Sequence, residues 1–177
     1  MKVVVNAGPL MALGKLGVVS LLRDLYESIL LPESVYQETV IEGLAQGHPD
    51  AHLIYLEIRR GHMQVVPVGE AEIPDDIKML PLDRGERDTI YLAMRENVDL
   101  VLLDDLRARE TARAYGLKVR GTLGILVQAY RQNLLSLDEV RLLIETIMIR
   151  SDIWIAESLC RQVLERLLVE AQQNPSE

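Results

Sequence analysis

The sequence predicts an α/β fold, with a central parallel sheet covered by helices on both faces to give three layers. Three observations carry that prediction. Short apolar runs of strand length recur along the chain, and stretches of helical period separate them. The core formers are Leu, Ile and Val, with aromatics at only 4% and no Phe, which suits strands buried on both faces. Hydrophobic residues make up 49% of 177 residues, enough for a real core, and a lone cysteine, Cys160, excludes an internal disulfide.

The elements follow in order. Val3-Val4-Val5 reads as a buried strand ended by Asn6-Ala7-Gly8, and Pro9 suits the first position of a helix carrying Leu10, Leu13 and Leu16. Residues 18–26 resume as a second short helix, and Ile29-Leu30-Leu31 is the next strand. A helix is expected over residues 34–41, a loop over 43–49, a helix over 52–60 and a strand over 64–68. Residues 69–82, with two prolines and several acids, read as irregular or briefly helical. Asp83-Arg84-Gly85-Glu86 has the form of a capping box, opening a helix to about Asn97. Strands over 100–103 and 117–119 and helices over 106–115 and 122–131 complete the alternation.

The tail has a different character. Ser136-Leu137-Asp138-Glu139 is a second capping box, starting a helix to about Met148. Ser151 or Asp152 is expected to cap a long last helix with Ile155, Leu159, Val163 and Leu167 in one apolar stripe, and the chain is expected to fray from Gln172. The division expected is a domain over residues 1–133 and a helical extension over 134–177 that packs on it or meets another chain.

A net charge of −8 argues against a broad basic surface for nucleic acid, yet it is compatible with an active site built from carboxylates that hold cations. The apolar run at the amino terminus is too short for a signal peptide or membrane span, and one cysteine fits a reducing compartment, so the chain is expected to be cytoplasmic.

In an open parallel sheet the functional crevice lies beyond the carboxyl ends of the strands. Asn6 and the pair Asp104-Asp105 each follow a predicted strand, Glu38 lies in the helix after the second strand, and Glu86 opens a helix. Hard-oxygen donors of this kind suit Mg²⁺ or Mn²⁺, and hydrolysis of a phosphodiester needs such an ion to stabilise charge and activate water. No Cys–His cluster competes for the role. The histidines His48, His52 and His62 fall together in a different region and read as surface residues.

Five stretches carry a resemblance: residues 3–10 (VVVNAGPL), 31–38 (LPESVYQE), 82–86 (LDRGE), 102–109 (LLDDLRAR) and 121–124 (GTLG). In order and spacing the chain resembles the PIN-domain superfamily, and within it the VapC-like toxin branch whose helix begins with a Gly-Glu pair. The resemblance implies a metal-dependent endoribonuclease that works with Mg²⁺ or Mn²⁺, an antitoxin partner and a homodimer. It places Asn6 on the family's first acid, Glu38 on the second, Glu86 on the third, and Asp104 or Asp105 on the fourth, with Asp104 preferred. Arg107 and Arg109 are candidates to hold RNA phosphates, as are the hydroxyl and free N–H groups at Thr122.

Each residue also has a plainer use. Glu86 completes a capping box, Asp105 can cap the next helix, Glu38 alone is a solvated helix residue and Asn6 alone a turn residue. Arg107 and Arg109, with Arg113, can form an exposed face balanced by Glu110. Trp154 reads as packing, and Cys160 as a small core or interface residue. Asn6 brings no charge, so the alternative to an active nuclease is the same fold with a weakened site acting as a partner-binding module.

Overall fold

The computed structural model describes residues 1–173, which divide into two compact units, Met1–Thr122 and a second from Leu123 onward. The first unit holds a five-stranded, all-parallel sheet. Its strands are β1 (Lys2–Val5), β2 (Ser28–Pro32), β3 (Gln64–Val66), β4 (Leu100–Leu102) and β5 (Val119–Arg120), in the order β3-β2-β1-β4-β5. Val4 sits between Leu30 and Val101 in register. From β1 the chain first builds one side of the sheet and then crosses to the other. The switch point, where ligand crevices form in open α/β sheets, therefore lies between the carboxyl ends of β1 and β4.

Helices cover both faces, giving the three-layer α/β/α architecture. They are α1 (Ala7–Lys15), α2 (Leu21–Leu25), α3 (Glu33–Tyr36), α4 (Gly43–Ala45), α5 (Pro49–Arg59), α6 (Asp75–Lys78), α7 (Arg84–Arg95) and α8 (Leu106–Ala114). Val4, Leu30 and Val101 bury one face of the sheet with Ile77 of α6, Ile90 of α7, and Ala108 and Ala112 of α8. The pleat turns their neighbours Val3, Val5, Ile29 and Leu31, all buried, to the opposite face.

Several boundaries depart from the sequence reading, each for a local reason. The first helix starts at Ala7 with Asn6 as its N-cap, so Pro9 is its third residue. None of the first four N–H groups has an intrahelical partner, so the ring costs no bond there. The expected helix over 34–41 runs on from α3 through a π-helical turn, Gln37–Glu42, into α4, so the loop expected over 43–49 is confined to residues 46–48 before α5 begins at Pro49. Within the wide turn the hydroxyl of Thr39 donates to the carbonyl of Val35 at 2.8 Å. Helix α5 packs so close to Gly43 that a Cβ there would lie 2.8 Å from Ala51 Cβ, which is why the position takes no side chain.

Leu117 does not open the last strand. Gly116, at φ +78°, ends α8, and the N–H of Leu117 reaches back to Ala112 while that of Gly116 bonds Arg113. This is a Schellman cap, and it delays β5 to Val119.

The second unit begins one residue into α9 (Thr122–Arg131), which leads to α10 (Leu137–Ile149) and α11 (Glu157–Gln173). The predicted capping box at Ser136 and Glu139 forms with both reciprocal bonds. Helix α10 packs on α11, with Ile144, Ile147, Cys160 and Leu167 buried. The last helix begins later than the sequence suggests. Arg150 holds both oxygens of Asp152, at 2.8 and 2.7 Å, so that carboxylate is a salt-bridge partner rather than a cap. Trp154 is 92% exposed, not packed, and its indole N–H donates to the carbonyl of Ser151. Gln172 and Gln173 continue α11, and the rest of the fraying expected beyond them lies outside the described residues. No helix among the described residues is long and apolar enough to cross a membrane.

Candidate metal-dependent nuclease site

Strand β1 ends at Asn6, whose N–H bonds Leu102 of β4 at 3.1 Å. The side chain is 7% exposed, and its Oδ1 accepts the hydroxyl of Thr89 at 3.2 Å. Thr89 stands three residues after Glu86 on α7 and therefore on the same helix face. Gly85 lies beside the same amide, since a Cβ there would stand 3.5 Å from Asn6 Oδ1 and from Asp83 Oδ1. The start of α7 is thereby set against the end of β1.

The capping box at that helix start forms as predicted. Asp83 accepts the N–H of Glu86 at 2.7 Å, and Glu86 accepts that of Asp83 at 3.2 Å. Glu86 is 8% exposed. Burial raises its pKa to about 7, with further upward pressure from the charges of Asp83, Asp105 and Glu38, while the Asp83 N–H pulls the other way. Glu38, in the π-helical turn, is likewise raised by partial burial and by the charges of Asp83 and Glu42. Glu38, Asp83 and Asp105 are thus close enough for their charges to act on Glu86 from three separate stretches of chain.

Two open hollows flank Asp83. One, of about 570 Å³, is lined by Asp83, Glu86, Asp105, Arg107 and Glu110. The other, of about 550 Å³, is lined by Glu33, Ser34, Glu38, Glu42, Asp83 and Arg84. Behind the second hollow, the hydroxyl of Ser34 donates to Asp88 of α7 at 2.6 Å.

The two aspartates after β4 are placed differently. Asp105 caps α8, accepting the N–H of Ala108 at 2.9 Å. Asp104 faces Thr122, whose N–H donates to its Oδ1 at 2.7 Å and whose hydroxyl donates to its Oδ2 at 2.6 Å. Burial raises the pKa of Asp104, and the Thr122 bonds and the Arg109 charge oppose the rise. The Thr122 groups considered for a substrate phosphate are therefore engaged by Asp104. Arg107 donates to the carbonyl of Pro81 at 3.2 Å on the rim of the first hollow. Arg109 stands beside Asp104, and its Nε is buried with no hydrogen-bond partner among the described residues.

A sequence model of the PIN domain matches residues 2–168. The chain belongs to the PIN-domain family. PIN domains are generally nucleases that use divalent metal ions, and the fold implies a nucleic-acid substrate. No curated protein matches the chain.

The donors of this PIN domain can be tested against such an ion. Among the described residues, no three of His, Cys, Asp and Glu are gathered into a ready-made cage. The groups at the strand ends are carboxylates and one amide, the hard oxygens that Mg²⁺ and Mn²⁺ prefer. Mg²⁺ keeps several of its waters and binds through one or two carboxylates rather than a full protein shell. The donor set therefore fits a hydrated hard cation.

Three contributors escaped the sequence reading. Asp83 was visible only as a cap. Thr89 carried a usable signal, its place on the Glu86 face, whereas the Ser34–Asp88 bond joins segments 54 residues apart and leaves no local trace.

Proposed function

We propose that this PIN domain is a metal-dependent endoribonuclease, the toxin of a toxin–antitoxin pair, using Mg²⁺ or Mn²⁺ held by Asn6, Glu38, Glu86 and the Asp104-Asp105 pair. The observation that carries the reading is the pressure on Glu86. Burial, with the charges of Asp83, Asp105 and Glu38 around it, raises its pKa to about 7, and a divalent cation relieves that repulsion. Bound there, the ion supplies charge stabilisation for the phosphoryl oxygens and an acidified water.

The chain's own residues orient and bind. Thr89 fixes the Asn6 amide, the capping box fixes Glu86, and the Ser34–Asp88 bond holds the helix before Glu38 against α7. Arg107, on the rim of the hollow that contains Glu86 and Asp105, is set to take an RNA phosphate, and Arg109 to balance charge at Asp104. The proposed setting is the cytoplasm. The nuclease domain spans residues 1–133, and the extension over 134–177 meets a second copy, forming a homodimer, or an antitoxin.

Asn6 supports a second reading. An uncharged residue at the switch point weakens cation binding, and the same fold then serves as a partner-binding module without cleavage. One experiment separates the two. Structured RNAs are incubated with Mg²⁺ or Mn²⁺ and wild-type protein, Glu38→Gln or Glu86→Gln. Metal-dependent cleavage lost in both variants is expected, and equal cleavage by all three proteins would mean a contaminant. For the toxin assignment, a short neighbouring gene for a DNA-binding protein is expected, and an isolated gene contradicts it.

A further inference from the structure

The two aspartates after β4 differ in everything except their sequence neighbourhood. Asp104, half-buried, sits between Gly8 in the first turn of α1 and Gly121 just after β5. A Cβ on Gly121 would stand 2.8 Å from its Oδ1, and a Cβ on Gly8 would stand 3.3 Å from its own Cβ. Each carboxylate oxygen accepts one bond from Thr122, itself fully buried. Asp104 lines neither hollow. Asp105 lines the hollow that contains Glu86. Its cap to Ala108 uses one site on Oδ1, and a carboxylate offers about four lone-pair sites, so capacity toward the hollow remains.

We propose that the pair divides two tasks: Asp105 faces the cation, and Asp104 is a positioning residue that locks the β4–α8 turn onto Gly121 and Thr122. This rests on the nuclease reading. The lock explains why two carboxylates stand side by side, where charge repulsion alone disfavours them. It also explains the glycine at 121, which allows the Asp104 carboxylate to approach the backbone so closely. By setting where β4 stops, Asp104 sets where Asp105 emerges.

The test measures Mn²⁺ binding to the full chain by electron paramagnetic resonance, together with thermal melting. Asp105→Asn keeps a cap acceptor as good as the original. It is expected to melt near the wild type while binding Mn²⁺ at least roughly tenfold more weakly. Asp104→Asn and Thr122→Val are expected to lower the melting temperature while weakening Mn²⁺ less than Asp105→Asn does. Their double variant is expected to melt no lower than the worse single, because both remove one shared contact. Thr122→Ser, which keeps the N–H and the hydroxyl and loses only a buried methyl, is expected to melt above Thr122→Val.

Wild-type Mn²⁺ affinity in Asp105→Asn overturns the proposal, as does loss of binding in Asp104→Asn at unchanged melting. If Asp104→Asn does not fold, the Asp105→Asn affinity and the Thr122 pair still decide. A wild type that neither binds Mn²⁺ nor cleaves RNA removes the nuclease reading and this division together. A wild type that does both, with the variants ranked in reverse, removes the division alone.

Discussion

Asp83 and Glu86 hold each other's backbone N–H groups, at 2.7 and 3.2 Å, while their carboxylates repel one another across the mouth of a hollow. One motif thus starts a helix and loads a site. Glu86 in the folded chain keeps its proton up to about pH 7, whereas its ordinary pKa is 4.5. Between those values the folded state holds a proton that the unfolded state has released. Stability therefore falls as pH rises through that window, and the loss is complete above it. The expected size is on the order of 2 kcal/mol. Melting curves from pH 4.5 to 8 should show the decline, and Glu86→Gln should flatten it. Mg²⁺ should raise the melting temperature more at pH 8 than at pH 5, and a pH-independent Mg²⁺ effect would remove Glu86 from the cation.

Asn6→Asp places a charge where the amide now accepts the Thr89 hydroxyl, a bond that either side chain can accept. Without metal the variant should melt lower, because a buried carboxylate joins an already crowded group. With Mn²⁺ the order should reverse, since tighter binding of the folded state raises stability in proportion to ln(1 + [Mn²⁺]/Kd). An Mn²⁺-induced shift no larger than in the wild type would separate Asn6 from the ion.

Ser34→Ala removes the hydroxyl that bonds the buried Asp88 at 2.6 Å. The expected loss is about 1–3 kcal/mol, the cost of leaving a buried acceptor short of a partner. Asp88→Asn in the same background should recover part of it, because the amide carries no charge to bury. Chemical denaturation of the three proteins checks both statements.

Trp154 is the chain's single tryptophan and is 92% exposed, so its emission reports on whatever covers the second unit. In dilute protein, acrylamide should quench it nearly as well as free tryptophan. If the homodimer forms through this region, quenching should weaken as protein concentration rises. Quenching independent of concentration across the monomer–dimer transition would place the interface elsewhere.

Much of the fold was legible because its signals are local. Both capping boxes, all five strands and the sheet class follow from residue period and cap chemistry, and Asn6, Glu38, Glu86 and Asp105 were visible as groups at strand and helix ends. What escaped depends on contacts between distant segments or on backbone geometry. Leu117 has the side chain of a strand residue but answers to the Gly116 cap. Asp152 has the side chain of a cap but answers to Arg150. Asp104 was visible at the end of β4 as well, and the bonds its two oxygens accept from Thr122, 18 residues on, were not.

The wide turn at Gln37–Glu42 bears on how far this chain can change in length here. Upstream, Ser34 is tied to Asp88; downstream, Gly43 is wedged on Ala51. One surplus residue between these anchors absorbs a mismatch in winding. Deleting it would restore even coiling and swing one end by roughly 100° relative to the other. Either Glu38 would turn away from Asp83 or α5 would lose its seat. Insertions and deletions are therefore tolerable in the surrounding loops and prohibited within this single coil.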